Sequence, residues 1–175
     1  MSEGKRHSSF AAIGLAAVLA ACSGSADQHS GLTACAVLED IDLAAVMGQA
    51  PQKIAENNLL VAPDDAQSTL SGCDVLDSDG NAVLSLMLRE AKDGTEGSDA
   101  DAAIDSMIAA FEPGTADKIS IGEGGYYSEV TATSSQLGLF TRNGRMLMIF
   151  NGMAEATDRT MLEAAANAAL EKVQN

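Results

Sequence analysis

A hydrolytic site needs a nucleophile, a base that activates it and a group that orients the base, and this 175-residue chain is short of bases. It has two histidines. His7 lies in the N-terminal segment interpreted below as a leader, and His29 lies among small polar residues where no packed element would hold an imidazole beside a serine or fix its tautomer. Paired carboxylates do acid–base chemistry without histidine, but only where burial drives their pKa values apart. The acids Asp64/Asp65 and Asp99/Asp101 fall in loop-like stretches, so a solvated surface is expected of them. Asp77-Ser78-Asp79-Gly80-Asn81 has the oxygen ligands and glycine of a calcium loop. Setting Gly80 at the glycine of such a loop, however, puts Val75 at the first ligand position and Leu86 where a bidentate acid is required. A plain hairpin turn is the expectation there. Gly122 to Gly125 lacks the Gly-Lys-Ser/Thr of a phosphate loop and is expected to be a turn presenting Tyr126 and Tyr127. These two rings are a candidate binding surface, with packing beneath a loop as the alternative. Seven methionines beyond Met1 suit either an adaptable surface or, as expected, core filling. The residues assign no catalytic group, no metal ligand and no cofactor, and the chain is not expected to be an enzyme.

The cysteines carry more information. Lys5 and Arg6 precede an apolar run from Phe10 to Ala21, shorter than the roughly 20 residues that span a bilayer. The pattern is that of an export signal, residues 1–21. The run stops at Leu19-Ala20-Ala21-Cys22, which resembles the lipobox of bacterial lipoproteins. The resemblance implies cleavage before Cys22 after its thiol has taken a diacylglyceryl group, with fatty acids such as palmitate supplying the anchor. Only a thiol can form that thioether, and small residues at positions 20 and 21 suit a narrow peptidase groove. Two or three acyl chains together give lasting attachment where one alone does not. Residues 22–33 are small and polar, as a flexible tether should be. In a Gram-negative host, Ser23 after the modified cysteine implies the periplasmic face of the outer membrane; otherwise the outer face of the cytoplasmic membrane is implied.

With Cys22 assigned to lipid, Cys35 and Cys73 remain, and an even pair outside the reducing cytosol predicts a disulfide. Closing a loop of about 39 residues is worth roughly 4 kcal/mol in the entropic treatment. A redox or metal-binding pair is disfavoured, because there is no Cys-x-x-Cys spacing and no neighbouring histidine.

Charge excludes one class of partner. The chain carries 25 acids against 10 bases, a formal −15, and gains nothing from nucleic-acid phosphates. Removing residues 1–21 leaves 8 bases and 24 acids, or −16, a surface repelled by anionic headgroups. The acylated Cys22 is then the whole of the membrane contact.

The elements that would position any site run from residue 34 to 175 as one domain. Ala34 to Met47 is helical in character, with a break near Glu39 to Asp42 and a stop at Gly48. Gln52 to Val61 is ambiguous, an edge strand at most. Gly72–Leu76 and Ala82–Arg89 form a hairpin with a two-residue turn at Asp79-Gly80. That register puts Leu84, Leu86 and Leu88 on one face beside Cys73 and Val75, with Ser85 and Arg89 facing away. Ser98 or Asp99 caps a helix carrying Ile104, Met107, Ile108 and Phe111 on one stripe, closed by Pro113-Gly114. Gln136–Arg142 and Arg145–Asn151 pair across Asn143-Gly144, with Leu137, Leu139, Met146, Met148 and Phe150 on one face. Phe140, Leu147 and Ile149 fall on the other, so this hairpin is expected to be covered on both sides. Thr157 or Asp158 caps a last helix to Val173 with Leu162, Ala165, Ala166, Ala169, Leu170 and Val173 on its apolar stripe.

The order of these features resembles a class of small exported lipoproteins of actinobacterial type and unknown function, whose domain is similar to the PsbP-like α/β sandwich. What carries the resemblance is Cys35 opening a helix that ends at Gly48, Cys73 at a strand, the GEGGYY turn at Gly122 to Tyr127, and a Leu-rich hairpin through Asn143-Gly144 before an Ala-rich helix. Ala34 stands where that class usually has proline. The resemblance implies a fold and a location and transfers no catalytic residues. The expectation is an α+β domain, helices packed on an antiparallel sheet, that serves another envelope protein as a non-catalytic interaction or assembly module. The alternatives are a carrier holding a lipid or metabolite in a pocket between helices and sheet and, less favoured, a hydrolase.

Overall fold

A computed structural model describes residues 31–48, 51, 53–57, 67–92, 96–153 and 158–174. The leader, Cys22, His29, Asp64, Asp65 and Thr157 lie outside the described residues. The described residues form an α+β fold of four helices and one seven-stranded antiparallel sheet. In chain order they are α1 (Ala34–Asp40), α2 (Leu43–Met47), β1 (Lys53–Glu56), β2 (Ser68–Leu76), β3 (Ala82–Ala91), α3 (Ala100–Ile108), β4 (Ala116–Ile119), β5 (Gly124–Thr131), β6 (Ser134–Thr141), β7 (Met146–Gly152) and α4 (Arg159–Val173). The sheet order β1-β2-β3-β7-β6-β5-β4 joins two meanders, of three and four strands, along the β3–β7 seam.

Alternation along the strands puts a core on each face. On one face Leu84, Leu86, Leu88, Leu137, Leu139, Met146, Met148 and Phe150 pack with α1, α2 and α4, and the six residues of the α4 stripe named above are all buried there. Alanines at 165, 166 and 169 let the helix lie close to the strands, where larger side chains would hold it off. On the other face Phe140 and Leu147 pack with Tyr126 and with Ile104 of α3, and Ile149 and Phe111 lie against them. A meander that must be buried on both sides accounts for the near-continuous apolar run Met146–Phe150.

Local chemistry sets the boundaries. Thr33, Asp42, Asp99 and Asp158 each cap a helix, their side chains accepting from a backbone N–H three residues on. Gly48 ends α2 in the left-handed conformation, φ +70°. The break between α1 and α2 falls at Ile41, whose side chain is buried while Asp42 restarts the helix.

Two expectations are corrected. Helix α3 ends at Ile108, before Pro113-Gly114 is reached: Ala110 and Phe111 donate back to the carbonyls of Met107 and Ile108, so the chain tightens into turns. Phe111 reaches the apolar cluster from outside the helix. The β2–β3 connection is also longer than a two-residue turn. Gly80 N–H donates to the Asp77 carbonyl at 3.1 Å, Asp77 N–H to the Asn81 carbonyl at 2.9 Å, and Gly80 has the turn's one positive φ, with a register shift beside it at Val75/Leu76. Asp77 dictates this form, because its carboxylate accepts from the N–H groups of both Asp79 and Asn81. Those bonds, that from Asn81 foremost, hold its pKa below the usual carboxylate value.

Candidate functional site

Cys35 and Cys73 form a disulfide, Cα–Cα 5.1 Å, that ties the second residue of α1 to β2. It is doubled one residue earlier, where Ala34 N–H donates to Ser71 Oγ at 2.9 Å. Leu32 already packs against the core and Thr33 caps the helix, so the chain's grip on the domain begins just before α1. Cys73 is fully buried between Val75 and Leu86, with Leu86 its partner on β3.

The paired tyrosines do not form a surface, and they lie in β5, past the glycine turn. Adjacent strand residues point to opposite faces, so one pocket cannot take both rings. Tyr126 faces α3, its ring 5.4 Å from that of Phe111, and its hydroxyl donates to Gln136 Oε1 at 2.5 Å. Burial pushes its phenol up to about 12. Tyr127 faces the other core, with the Arg159 guanidinium 5.1 Å from its ring centroid. Burial raises its pKa too, with the Glu129 charge adding to the effect. Both side chains are packing elements.

The glycines before them shape a turn. A side chain at Gly122, φ +68°, would put its Cβ 2.4 Å from the Phe140 carbonyl oxygen. This proximity lets Glu123 reach the β6–β7 turn, where its carboxylate accepts from the N–H groups of Asn143 and Gly144 at 2.7 Å each. That turn holds the expected register, Thr141 opposite Met146, with Arg145 N–H donating to the Arg142 carbonyl. Arg142 itself is left-handed, φ 56°, and its side chain is pinned by the Val173 carbonyl and by Glu90, each at 3.0 Å.

Among the described residues, the acids of interest to acid–base chemistry are occupied. Asp99 caps α3, while Asp101 and Asp105 both pair with Lys118 at 3.0 Å and raise its pKa. Among the described residues no group of three or more His, Cys, Asp or Glu side chains is placed to hold a metal ion, and no helix is long and apolar enough to cross a membrane.

One feature of the α3 side was invisible in the sequence. Asp74, Ser85, Asn151, Gln136 and Ser128 stand opposite one another on five successive strands, making a polar row across the sheet. At one end Asn57 Nδ2 donates to both Asp74 oxygens and Ser85 Oγ donates to Oδ1 at 2.6 Å; at the other, Gln136 Nε2 donates to Asn151 Oδ1 at 2.7 Å. Ser128 Oγ is buried with no hydrogen-bond partner in the structure. The five residues lie up to 77 positions apart in the chain, and only strand pairing brings them together.

Comparison with family models, with curated proteins and with solved structures finds no match to this chain. Function therefore rests on the residues themselves.

Proposed function

We propose that the chain is an exported envelope protein, held at a membrane by acyl chains on Cys22, and that its domain acts by recognition, recruiting or assembling with another envelope protein without transforming it. The observation that carries this reading is the Cys35–Cys73 bond, at the point where a tether from Cys22 would enter the domain. A helix at the end of a leash is the first element that tension would peel away. Here that helix is fixed to an interior strand by a covalent bond and by the Ala34–Ser71 hydrogen bond beside it. A disulfide also suits an oxidising compartment. It leaves Cys22, within Leu19-Ala20-Ala21-Cys22, as the thiol available for lipid.

The packing favours an interaction module over a lipid carrier. The space between α1, α4 and the sheet is filled by side chains such as Leu38, Leu86, Met148, Phe150 and Leu162, each fully buried. The order of elements and the bridge from the first helix to β2 also support kinship with the Cys-bridged lipoproteins and a PsbP-like sandwich. With a charge of −16 after cleavage, the domain is repelled by anionic headgroups and stands off the leaflet at the length of its tether.

Metabolic labelling with an alkyne fatty acid tests the anchor. The native chain should take up label and sediment with membranes, and Cys22→Ala should lose both; a variant that still labels overturns the reading. Crosslinking in the intact envelope followed by mass spectrometry should then return a discrete envelope protein as partner.

A further inference from the structure

Asn-Gly occurs twice in the chain, at Asn143-Gly144 in the β6–β7 turn and at Asn151-Gly152 at the end of β7. The dipeptide is chemically labile, because a glycine leaves its own amide nitrogen unhindered and free to turn towards the preceding asparagine side chain. Asn151-Gly152 is held inside the sheet: Gly152 is buried and pairs with Leu84 of β3 and Ser135 of β6, and Asn151 Oδ1 accepts from Gln136. Asn143 is different. It is exposed, with φ 56°, and its carboxamide meets water. What holds this pair is Glu123, whose two carboxylate oxygens accept one from Asn143 N–H and the other from Gly144 N–H, at 2.7 Å each. The Gly144 carbonyl in turn accepts from Ser98 N–H at 3.0 Å, in a contact so close that a Cβ on Gly144 would collide with the Ser98 carbonyl oxygen. Gly144 is therefore tied at its nitrogen to one segment and at its oxygen to another, which fixes the peptide plane between it and Asn143.

We infer that Asn143 is a latent deamidation site that Glu123 keeps closed. The nucleophile is the backbone. Hydroxide removes the Gly144 amide proton, the nitrogen attacks Asn143 Cγ, the carboxamide C–N bond breaks, and its nitrogen takes a proton from water and leaves as ammonia. Water then opens the cyclic imide at either carbonyl, leaving aspartate or isoaspartate at 143. Glu123 opposes the first step twice over: its hydrogen bond must break before the nitrogen can approach the side chain, and an amide anion formed there would face a carboxylate. A carboxylate is far too weak a base to take the proton itself. The latch has a structural consequence, because isoaspartate adds a main-chain carbon to a turn that the Thr141–Met146 register and the Ser98 contact leave no room to lengthen. The site is independent of the tether and of the interaction reading above.

The test ages the full chain in non-ionic detergent at mildly alkaline pH and follows both Asn-Gly pairs by peptide mass spectrometry. In the native chain Asn143 and Asn151 should both stay intact over a period in which a urea-unfolded sample converts both. Glu123→Ala should deamidate at Asn143 about 10- to 100-fold faster than the native chain, because the reaction follows the population of the open turn. Asn151 should not accelerate, and it gauges whether the variant is still folded. Glu123→Gln keeps an acceptor oxygen without the charge and should fall between the two. Equal acceleration at Asn143 and Asn151 in Glu123→Ala would trace the reaction to opening of the whole fold and overturn the local latch. So would an unchanged rate at Asn143 in that variant, or native Asn143 converting as fast as in urea.

Discussion

Tyr126 occupies the space that a side chain on Gly138 would need: the two residues are paired across β5 and β6, and a Cβ at 138 would lie 2.3 Å from the tyrosine Cε1. The ring lies flat over its cross-strand neighbour, which brings the hydroxyl to Gln136 two residues along. Gly138→Ala should therefore displace the ring and cost about 1–3 kcal/mol, read as a lower urea midpoint at unchanged slope.

The same ring predicts an alkaline limit. The phenol titrates at about 12 when folded, against about 10 in an unfolded chain, so the folded state keeps its proton where the unfolded state gives it up. Stability from this group is complete below pH of about 10 and is lost as pH rises through about 12. Tyr127, also raised, is common to both proteins, so comparing Tyr126→Phe with the native chain isolates the effect. The variant should show a shallower fall in denaturant midpoint over that window; an identical fall would remove Tyr126 from the account.

Reduction of the Cys35–Cys73 bond should lower stability by about 4 kcal/mol in the entropic treatment, and intact mass after alkylation should change by two thiols. The first amides to lose hydrogen-exchange protection should be those of α1, which loses its covalent tie to β2 and keeps the Ala34–Ser71 bond.

Glu123→Ala removes the carboxylate that accepts from two turn N–H groups, and should cost about 1.5–3 kcal/mol. Exchange of the Asn143 and Gly144 amides should accelerate more than that of strand amides in β7. Glu123→Gln, which keeps one acceptor oxygen, should lose less.

Asp158→Ala should destabilise by about 1 kcal/mol, because the α4 N-terminus loses the acceptor for Met161 N–H at 2.9 Å. The loss should appear in the global unfolding transition, since α4 packs on the main core.

The amino-acid order alone determined whatever depends on neighbours in the chain. Capping residues and apolar stripes marked α3 and α4, and alternation with an Asn-Gly pair set the β6–β7 register and the two-sided burial of that hairpin. The pairing of Cys35 with Cys73 followed from counting cysteines. Phe111 was assigned to the right cluster and the wrong element, because a turn can deliver a side chain to the place that another helical turn would have reached.

Tertiary structure decided the rest. Tyr126 and Tyr127 look alike in sequence and go to opposite cores, because strand geometry turns successive side chains through half a revolution. Glu123 reads as one acid among many until a fold brings Asn143 and Gly144 to its carboxylate. Asp74, Ser85, Asn151, Gln136 and Ser128 fall in one row because β2, β3, β7, β6 and β5 are successive neighbours in the sheet, although β7 lies far from β3 along the chain. Periodicity is a property of a single element, whereas a site is made by pairing between elements, and a lone sequence does not display which strands will pair.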